Sequence, residues 1–390
     1  MRSFYLETIM NTPSFLIKNI FIVDPNKDSP FTSDVLIQKN LIQEISPQIK
    51  SEAQYIIDGK DLFLSPGFID HHCHIYEASD NGLKADSYAL PLGCTALCDA
   101  GSCGVSNFFN FFNETIIKTN TKIYAYLNVG SSGQISENCP ENVSPQAIDD
   151  NRICETINKY DCIRGLKLRF DKICTNDISS LLHAKSLSKK LNKPLCVHFS
   201  NHPSTLDEIC QILDKGDILC HAFNELGESI IDNSGNILKC INKAKEKGII
   251  FDTADGYRNF SFRVIYNCIK QGFLPDIIST DMIRSRTFTP VSYGLNYTMS
   301  KYLALGMSLN KIIKATTQTP YKTLNLPSSD PLKSGNLANL CLFKLTSMKN
   351  FKIKDSYGEI LYLKRIIEPL ATIVNGNIAY SNLKLYDRLI

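Results

Sequence analysis

Eight short apolar segments recur through the middle of the chain, and a more polar stretch of helical length follows each of them. The segments lie at residues 64–72, 95–101, 122–129, 163–170, 194–200, 217–223, 248–254 and 276–282. Such runs are typical of buried parallel strands, and the connections are long enough to be helices. An open doubly wound sheet is the alternative, but no glycine-rich phosphate-binding turn follows the first segment. The pattern therefore predicts an α/β fold of the (β/α)₈ TIM-like barrel type.

The two ends of the chain have a different pattern from the middle. Residues 14–63 alternate apolar and polar side chains in short runs, and the stretch from about residue 335 repeats this style. Short alternating runs separated by turn residues predict β-strands. We therefore predict a small β-sandwich built from both termini, residues 10–63 and 331–390, beside a barrel at 64–330. The first nine residues, which precede Met10, are expected to be a disordered tail or an upstream start.

Composition excludes several classes of partner. The net charge is +3 over 390 residues, and the lysines and arginines are scattered, so neither nucleic acid nor an acidic membrane is expected. No segment approaches the roughly 20 apolar residues of a membrane span, and the N-terminus lacks the pattern of a secretory signal. Fourteen cysteines without CxxC pairs or a disulfide-like rhythm predict reduced thiols and a cytoplasmic location. A homo-oligomer is possible, although no interface signal is present.

Metal-binding residue types stand at the ends of four of the predicted strands. His72 and His74 follow the first segment, and their i, i+2 spacing puts both imidazoles on one side of an extended chain. His198 ends the fifth segment, His221 the sixth and Asp281 the eighth. Active sites of barrel enzymes lie at the carboxyl ends of the strands. The sequence therefore predicts a metal site there.

Each of these residues has an ordinary structural explanation when it is taken alone. A single histidine such as His198 or His221 is more often a hydrogen-bonded core residue, and an Asp after a strand, such as Asp281, is more often a helix N-cap. The joint pattern is much harder to obtain by chance, because the ligand types must coincide with separate strands in register.

The other three histidines are expected to have lesser roles. His183 falls within a helical segment and is expected at the surface. His202 lies in the loop after the fifth segment and could face the pocket. His71 alternates with His72 and should point away from the site.

Lys167 is predicted to complete the metal site. It lies between Leu166 and Leu168 in the fourth segment, so alternation directs it into the barrel. A buried lysine is costly unless it is neutralised or paired. An ion-paired or snorkelling lysine is the plain interpretation. We prefer a lysine that has reacted with carbon dioxide to give an anionic carbamate, because four imidazoles and one carboxylate are a poor complement to two divalent ions.

These motifs resemble those of the amidohydrolase superfamily. Pro66-Gly67-Phe68-Ile69-Asp70 before His72-x-His74 resembles its opening motif, and the four later ligand positions follow in the same order. Leu92-Gly93-Cys94-Thr95, Asp99-Ala100-Gly101-Ser102 and Asn107-Phe108 resemble the amidohydrolase/deacetylase branch in particular. The resemblance covers nearly the whole chain.

The resemblance implies a metal set and a mechanism. Six side chains would hold two divalent ions, with Zn²⁺ expected: His72, His74 and Asp281 at the first, His198 and His221 at the second, and a carbamylated Lys167 between them. A metal-bridging hydroxide would attack an amide or ester carbonyl, and Asp281 would carry the proton to the leaving group. The implied substrate is a small N-acyl amino acid or O-acyl hydroxy acid.

Departures from the family pattern bear on the substrate. Dihydroorotase-like members have an arginine two positions after the His-x-His pair, whereas this chain has Tyr76. The loop after the seventh segment, residues 254–258, lacks the histidine-rich turn of the deacetylase branch. Candidate substrate-binding residues are Tyr76, Arg169, His202 and Arg258; ordinary surface pairing is the alternative for the two arginines.

Three other functions stay open. A cyclic-amide hydrolase of the dihydroorotase or hydantoinase type has the same fold, but Tyr76 argues against it. A non-catalytic barrel scaffold is opposed by the complete set of ligand positions. A mononuclear deaminase would normally lack the lysine at position 167.

Overall fold

The computed structural model describes residues 13–136, 138–256, 258–287, 294–327 and 330–389. The expectation for the first nine residues lies outside the described residues. Among the described residues, no helix combines the length and the apolar character that a membrane crossing requires.

Two β-sheets organise the chain. The first sheet contains β1 (Phe15–Ile22), β2 (Phe31–Gln38), β3 (Leu41–Ser46), β4 (Tyr55–Asp58), β5 (Phe63–Pro66), β13 (Leu340–Lys354), β14 (Ile360–Val374) and β15 (Asn377–Ser381). Its order is β15-β14-β13-β5-β1-β2-β3, and β4 pairs with β1. Strands from both chain ends therefore share one sheet around a core of their own. The division into two packed layers, and the domain boundaries, stay predictions.

The second sheet is parallel and curls into the barrel. Its strands are β6 (Phe68–Cys73), β7 (Cys94–Ala100), β8 (Lys122–Asn128), β9 (Ile163–Arg169), β10 (Leu195–His198), β11 (Ile218–Cys220) and β12 (Ile250–Phe251). They pair in sequence order from β6 to β12. Each coincides, to within one residue at either end, with all or part of one of the predicted apolar segments. The exception is the first segment, whose start at residues 64–66 belongs to β5 in the other sheet.

The eighth predicted segment, 276–282, meets both edges of this sheet. It forms parallel bridges at Asp252 with Ile277 and at Cys73 with Met282. The amide of Asp281 donates to the carbonyl of His72 over 2.7 Å. The sheet is thus joined across its ends, as a barrel requires, and the polar residues at its carboxyl edge face a common space.

Helices cover the outside of the parallel sheet. They are α1 (Ala85–Ala89), α2 (Phe108–Glu114), α3 (Asp150–Lys159), α4 (Ser179–Leu191), α5 (Leu206–Ile212), α6 (Lys239–Lys247), α7 (Phe262–Lys270), α8 (Leu295–Ala304), α9 (Leu309–Thr316) and α10 (Gln318–Thr323). A large apolar core fills the layer between helices and strands. Helix α6 ends at Gly248 with φ +91°, a left-handed conformation that glycine adopts without steric cost.

Candidate metal centre

The strands at which the barrel closes bring three predicted ligands together. Nε2 of His72 lies 3.5 Å from Oδ1 of Asp281, and Nε2 of His74 lies 3.3 Å from the same oxygen. One possible ligand atom from each of the three residues falls within 4.8 Å of the other two. More than 200 positions separate Asp281 from the two histidines in the sequence. The pairing of His72 with Asp281 through the backbone is what unites them.

The remaining predicted ligands border the same group. The ring centroids of His198 and His221 are 4.3 Å apart, and those of His72 and His221 are 5.1 Å apart. Nζ of Lys167 lies 3.4 Å from Nε2 of His72. All six predicted ligands line one cavity of about 340 Å³. The structure therefore places together every side chain that the sequence assigns to the metal site.

A chain of hydrogen bonds from β7 orients His74. The hydroxyl of Ser102 donates to Oδ2 of Asp99 over 2.7 Å, so its oxygen is available to accept from Nδ1 of His74 at 2.9 Å. With the proton on Nδ1, Nε2 of His74 carries the free lone pair that faces Asp281. The Asp99–Ser102 motif seen in the sequence thus fixes the imidazole of the neighbouring strand.

His221 is oriented in the same way. Its Nδ1 donates to the carbonyl of Ala254 over 2.7 Å, which leaves the lone pair on Nε2. Both residues have positive φ, +62° for His221 and +38° for Ala254. Non-glycine residues adopt this conformation at an energetic cost, and such residues concentrate at functional sites.

Gly101 makes room for Lys167. A Cβ at Gly101 would lie 2.6 Å from Cγ of Lys167, and φ of this glycine is +84°. Any larger residue would push against the lysine stem. The glycine between Asp99 and Ser102 therefore allows the lysine to reach the imidazoles.

Burial holds the pKa of three of the imidazoles, those of His72, His198 and His221, below neutral pH. Burial, assisted by the charge of Lys167, lowers the pKa of His72 to about 3. Burial also lowers the pKa of His221 to about 4 and takes the pKa of His198 well below its usual value. Their lone pairs are available without the loss of a proton.

The surroundings of Lys167 favour its charged form while no cation is bound. Burial lowers its pKa, but neighbouring sulfur and carboxylate groups outweigh this and raise it above the usual value. A carbamate forms only on the neutral amine. Formation of a carbamate would therefore require positive charge beside the lysine to lower the pKa of its amine.

The donor set fits a divalent cation. Neutral imidazole nitrogens and a carboxylate oxygen are ligands that Zn²⁺ and similar ions take in proteins. Two ring nitrogens, Nδ1 of His72 and Nδ1 of His71, are buried and have no hydrogen-bond partner among the described residues. Both nitrogens lie within 4 Å of the carboxylate of Asp252.

Asp252 is a residue that sequence reasoning missed. Its Oδ2 lies 3.6 Å from Nδ1 of His72 and 3.8 Å from Nδ1 of His71, and the side chain is fully buried. The only sequence signal is a lone Asp at the end of the seventh segment. A carboxylate behind a ligand imidazole orients it and raises its basicity.

The prediction that His71 points outward is wrong. Its Nε2 lies 3.2 Å from the hydroxyl of Tyr126, and the residue is buried in the barrel. The pairing of β6 with β7 shifts register between Asp70 and Cys73, so strict alternation fails there. His183, in contrast, lies at the surface as predicted, with 31% of its side chain exposed beside Asp150.

Two of the four candidate substrate-binding residues line the cavity. Arg169 and Arg258 are both in its wall. Arg169 also donates through Nε to Oδ2 of Asp171 over 2.8 Å and lies 3.4 Å from Oε2 of Glu141. Its charge is therefore already balanced by two carboxylates, whereas Arg258 is exposed.

The other two candidates are not brought into the cavity wall. Tyr76 is buried and packs edge-on against Phe111, with 5.5 Å between ring centroids. His202 stacks on Phe199 at 5.0 Å. Apolar packing directs both rings into the core, which loop position alone does not reveal.

The chain matches the amidohydrolase family over residues 63–379. The chain belongs to that family. A deacetylase of Brucella anthropi is 32% identical to this amidohydrolase over 356 residues, which cover 89% of this chain and 88% of the relative.

Two solved structures are similar to this amidohydrolase over almost their whole length. A crystal structure of a dihydroorotase gives a TM-score of 0.86 at 32% identity and covers 95% of this chain and 98% of its own. A crystal structure of an adenine deaminase gives a TM-score of 0.86 at 28% identity, with 94% and 99% covered. The fold and the hydrolytic class are shared, while the named reactions differ. The residues that line the cavity bear on which of these reactions the chain could catalyse.

Proposed function

We propose that this amidohydrolase is a binuclear metal-dependent deacetylase. Its substrate would be a small N-acyl amino acid or O-acyl hydroxy acid, with acetyl as the acyl group. The observation that carries the proposal is the meeting of four imidazoles, Lys167 and Asp281 at one cavity of about 340 Å³. The similarity to a deacetylase over most of both chains supports the choice of reaction.

The proposed cofactor is a pair of Zn²⁺ ions. The residues that would hold them are His72, His74 and Asp281 for one, His198 and His221 for the other, and a carbamate on Lys167 for both. When bound, the ions would polarise the scissile carbonyl and lower the pKa of the attacking water.

Asp281 is proposed to move the proton. Its Oδ1 faces Nε2 of His72 and of His74, while Oδ2 lies against the backbone of Gly256. Oδ2 would take a proton from the attacking water while the oxygen of that water adds to the carbonyl carbon. It would then pass that proton to the leaving nitrogen or oxygen as the bond to the acyl carbon breaks, giving a carboxylic acid and an amine or alcohol.

The charge of the cavity supports an acidic substrate. Three guanidinium groups, those of Arg169, Arg258 and Arg286, line it. Because Arg169 is paired with carboxylates, Arg258 is the residue that we propose to bind the substrate carboxylate. Tyr76 and His202 have no part in this proposal, since neither lines the cavity.

The second candidate is a cyclic-amide hydrolase, which the similar dihydroorotase structure favours. Tyr76 argues against a cyclic-amide hydrolase, because dihydroorotase-like members have an arginine at this position. The ring of Tyr76 packs on Phe111. A cyclic ureide carboxylate would lack that partner here.

One experiment separates these candidates. Purified protein is supplied with zinc and bicarbonate, its metal content is measured, and acid release is followed on N-acetyl-D- and N-acetyl-L-amino acids. Dihydroorotate, hydantoin and adenine are the comparison substrates. We expect about two metal ions per chain and turnover of acetylated acids. Turnover confined to the cyclic ureides would establish the second candidate, and negligible metal content without activity would establish a scaffold.

A further inference from the structure

Two thiols face each other beneath the candidate metal centre. Cys196 in β10 and Cys220 in β11 have their Sγ atoms 3.0 Å apart. Their exposed fractions are 1% and 0%. Nζ of Lys167 lies 3.9 Å from Sγ of Cys196, so the thiol pair is directly below the lysine, inside the barrel.

An imidazole and a carboxylate complete this group. A ring nitrogen of His72 and the two sulfur atoms all lie within 4.8 Å of one another. Oδ2 of Asp252 lies 4.0 Å from Sγ of Cys220 and 3.6 Å from Nδ1 of His72. That nitrogen is buried without a hydrogen-bond partner among the described residues. The group therefore contains a buried ring nitrogen whose hydrogen-bonding capacity is unused.

Strand register argues against a disulfide between the two cysteines. Cys196 pairs with Ile218, and Cys220 pairs with His198, so the cysteines are two positions out of register. Diagonal neighbours of this kind have Cα atoms roughly 7–8 Å apart. A disulfide needs about 4.4–6.8 Å. The register therefore sets the two backbones further apart than a disulfide spans, although the side chains bring the sulfur atoms face to face.

We propose that Cys196, Cys220 and His72 form a cation site for a soft, thiophilic divalent ion, of which Cd²⁺ is the simplest probe. Two thiolates and an imidazole are ligands that select such ions. Binding would release the two thiol protons to solvent, and the two negative charges would balance the ion in the dry interior. This site shares His72 with the group that contains His74 and Asp281, and it differs from that group in having two sulfur atoms as the other ligands.

A cadmium titration tests the proposal. Protein freed of metal by a chelator and kept reduced is titrated with Cd²⁺, and the ultraviolet charge-transfer absorption of cadmium–thiolate bonds is followed. We expect the absorption to saturate at one ion. Cys196→Ala and Cys220→Ala should each weaken binding by roughly tenfold or more. Cys268→Ala is the matched control, because Cys268 is a buried thiol in α7 that does not line the cavity, and this variant should bind as the parent protein does. Equal affinity in all four proteins would overturn the proposal.

A second measurement needs no variant. X-ray absorption spectroscopy of the parent protein with one equivalent of Cd²⁺ counts the sulfur atoms bound to the ion. Two sulfur ligands and one nitrogen ligand are expected. A first shell with one sulfur or none would contradict the proposed site, whether or not the protein hydrolyses acylated substrates.

Discussion

Gly256 lies so close to Asp281 that a Cβ added at Gly256 would stand 2.6 Å from Oδ2 of the carboxylate. This is below any real Cβ contact, so the carboxylate would have to move. Because Oδ2 is the oxygen proposed to carry the proton, we predict that Gly256→Ala lowers kcat by roughly a hundredfold, in line with the effect of a 1 Å misplacement. Steady-state kinetics and zinc content would be measured together.

A matched control separates steric displacement from backbone strain. Gly272 also has positive φ, +77° against +52° for Gly256, but a Cβ there would have nothing within 4 Å. Gly272→Ala should lose stability to a similar extent and keep its kcat. If Gly256→Ala and Gly272→Ala had the same kcat, steric contact with Asp281 would not be the cause of any loss of activity.

Lys167→Ala should remove both metal and activity. The substitution deletes the side chain that lies 3.4 Å from His72 and that is proposed to supply the shared anion. Short carboxylic acids such as propionate should restore part of both, since a carboxylate can replace the carbamate. Metal analysis and rates with and without the acid check this. Lys190→Ala, on the exposed face of α4, is the control. A Lys167→Ala protein with parental metal content and rate would refute the shared-ligand role.

Most of the barrel could be predicted because its strands are continuous apolar segments. The segments at 95–101 and 122–129 contain β7 and β8 almost entirely. The start of the first segment went to the other sheet because Gly67 interrupts the chain: a Cβ there would lie 2.2 Å from Thr95, and the strand changes partners at this point. Hydrophobic pattern does not encode such a change of sheet.

The positions of the candidate metal ligands could be predicted from the ends of the strands. The residues that contact and orient those side chains could not. Asp252 and the thiols of Cys196 and Cys220 belong to segments whose pattern is mainly apolar with two polar residues each. Their meeting depends on strand register, and His71 shows how one register shift reverses the face of a residue. Side chains that act together only through register need coordinates to be found.

Tyr88 is predicted to stabilise the closure of the barrel. Its hydroxyl donates to Oδ2 of Asp70 over 2.7 Å, and Asp70 in β6 also accepts from the hydroxyl of Thr280 over 2.6 Å. Tyr88→Phe should lower the free energy of unfolding by about 1–3 kcal/mol, because a buried carboxylate loses a donor. Urea unfolding measures this. Tyr266→Phe, with 46% of the residue exposed, should change stability little. Equal effects for the two variants would contradict the assignment.

A buried ion pair anchors the loop that carries Gly256. Nζ of Lys301 lies 2.5 Å from Oδ2 of Asp255, and both residues are at most 1% exposed. Lys301→Met should destabilise the protein by about 3–5 kcal/mol, since it leaves a buried carboxylate without its cation. The double variant Lys301→Met/Asp255→Asn should recover part of that loss in urea unfolding. Strict additivity of the two substitutions would show that the pair is not coupled.

Arg258 is predicted to recognise the substrate carboxylate. It lines the cavity beside Asp281, and it is exposed, whereas Arg169 is engaged by Asp171 and Glu141. A hydrogen bond to a charged group contributes about 1.5–3 kcal/mol. Arg258→Met should therefore raise KM for an N-acetyl amino acid by roughly tenfold to a hundredfold. The carboxamide of the same substrate has no negative charge, so its KM should be nearly the same in both proteins. Arg365→Met, on the exposed surface of β14, controls for the loss of a positive charge. If Arg258→Met raised KM equally for the acid and the carboxamide, the guanidinium would contribute to the shape of the cavity and not to recognition of the carboxylate.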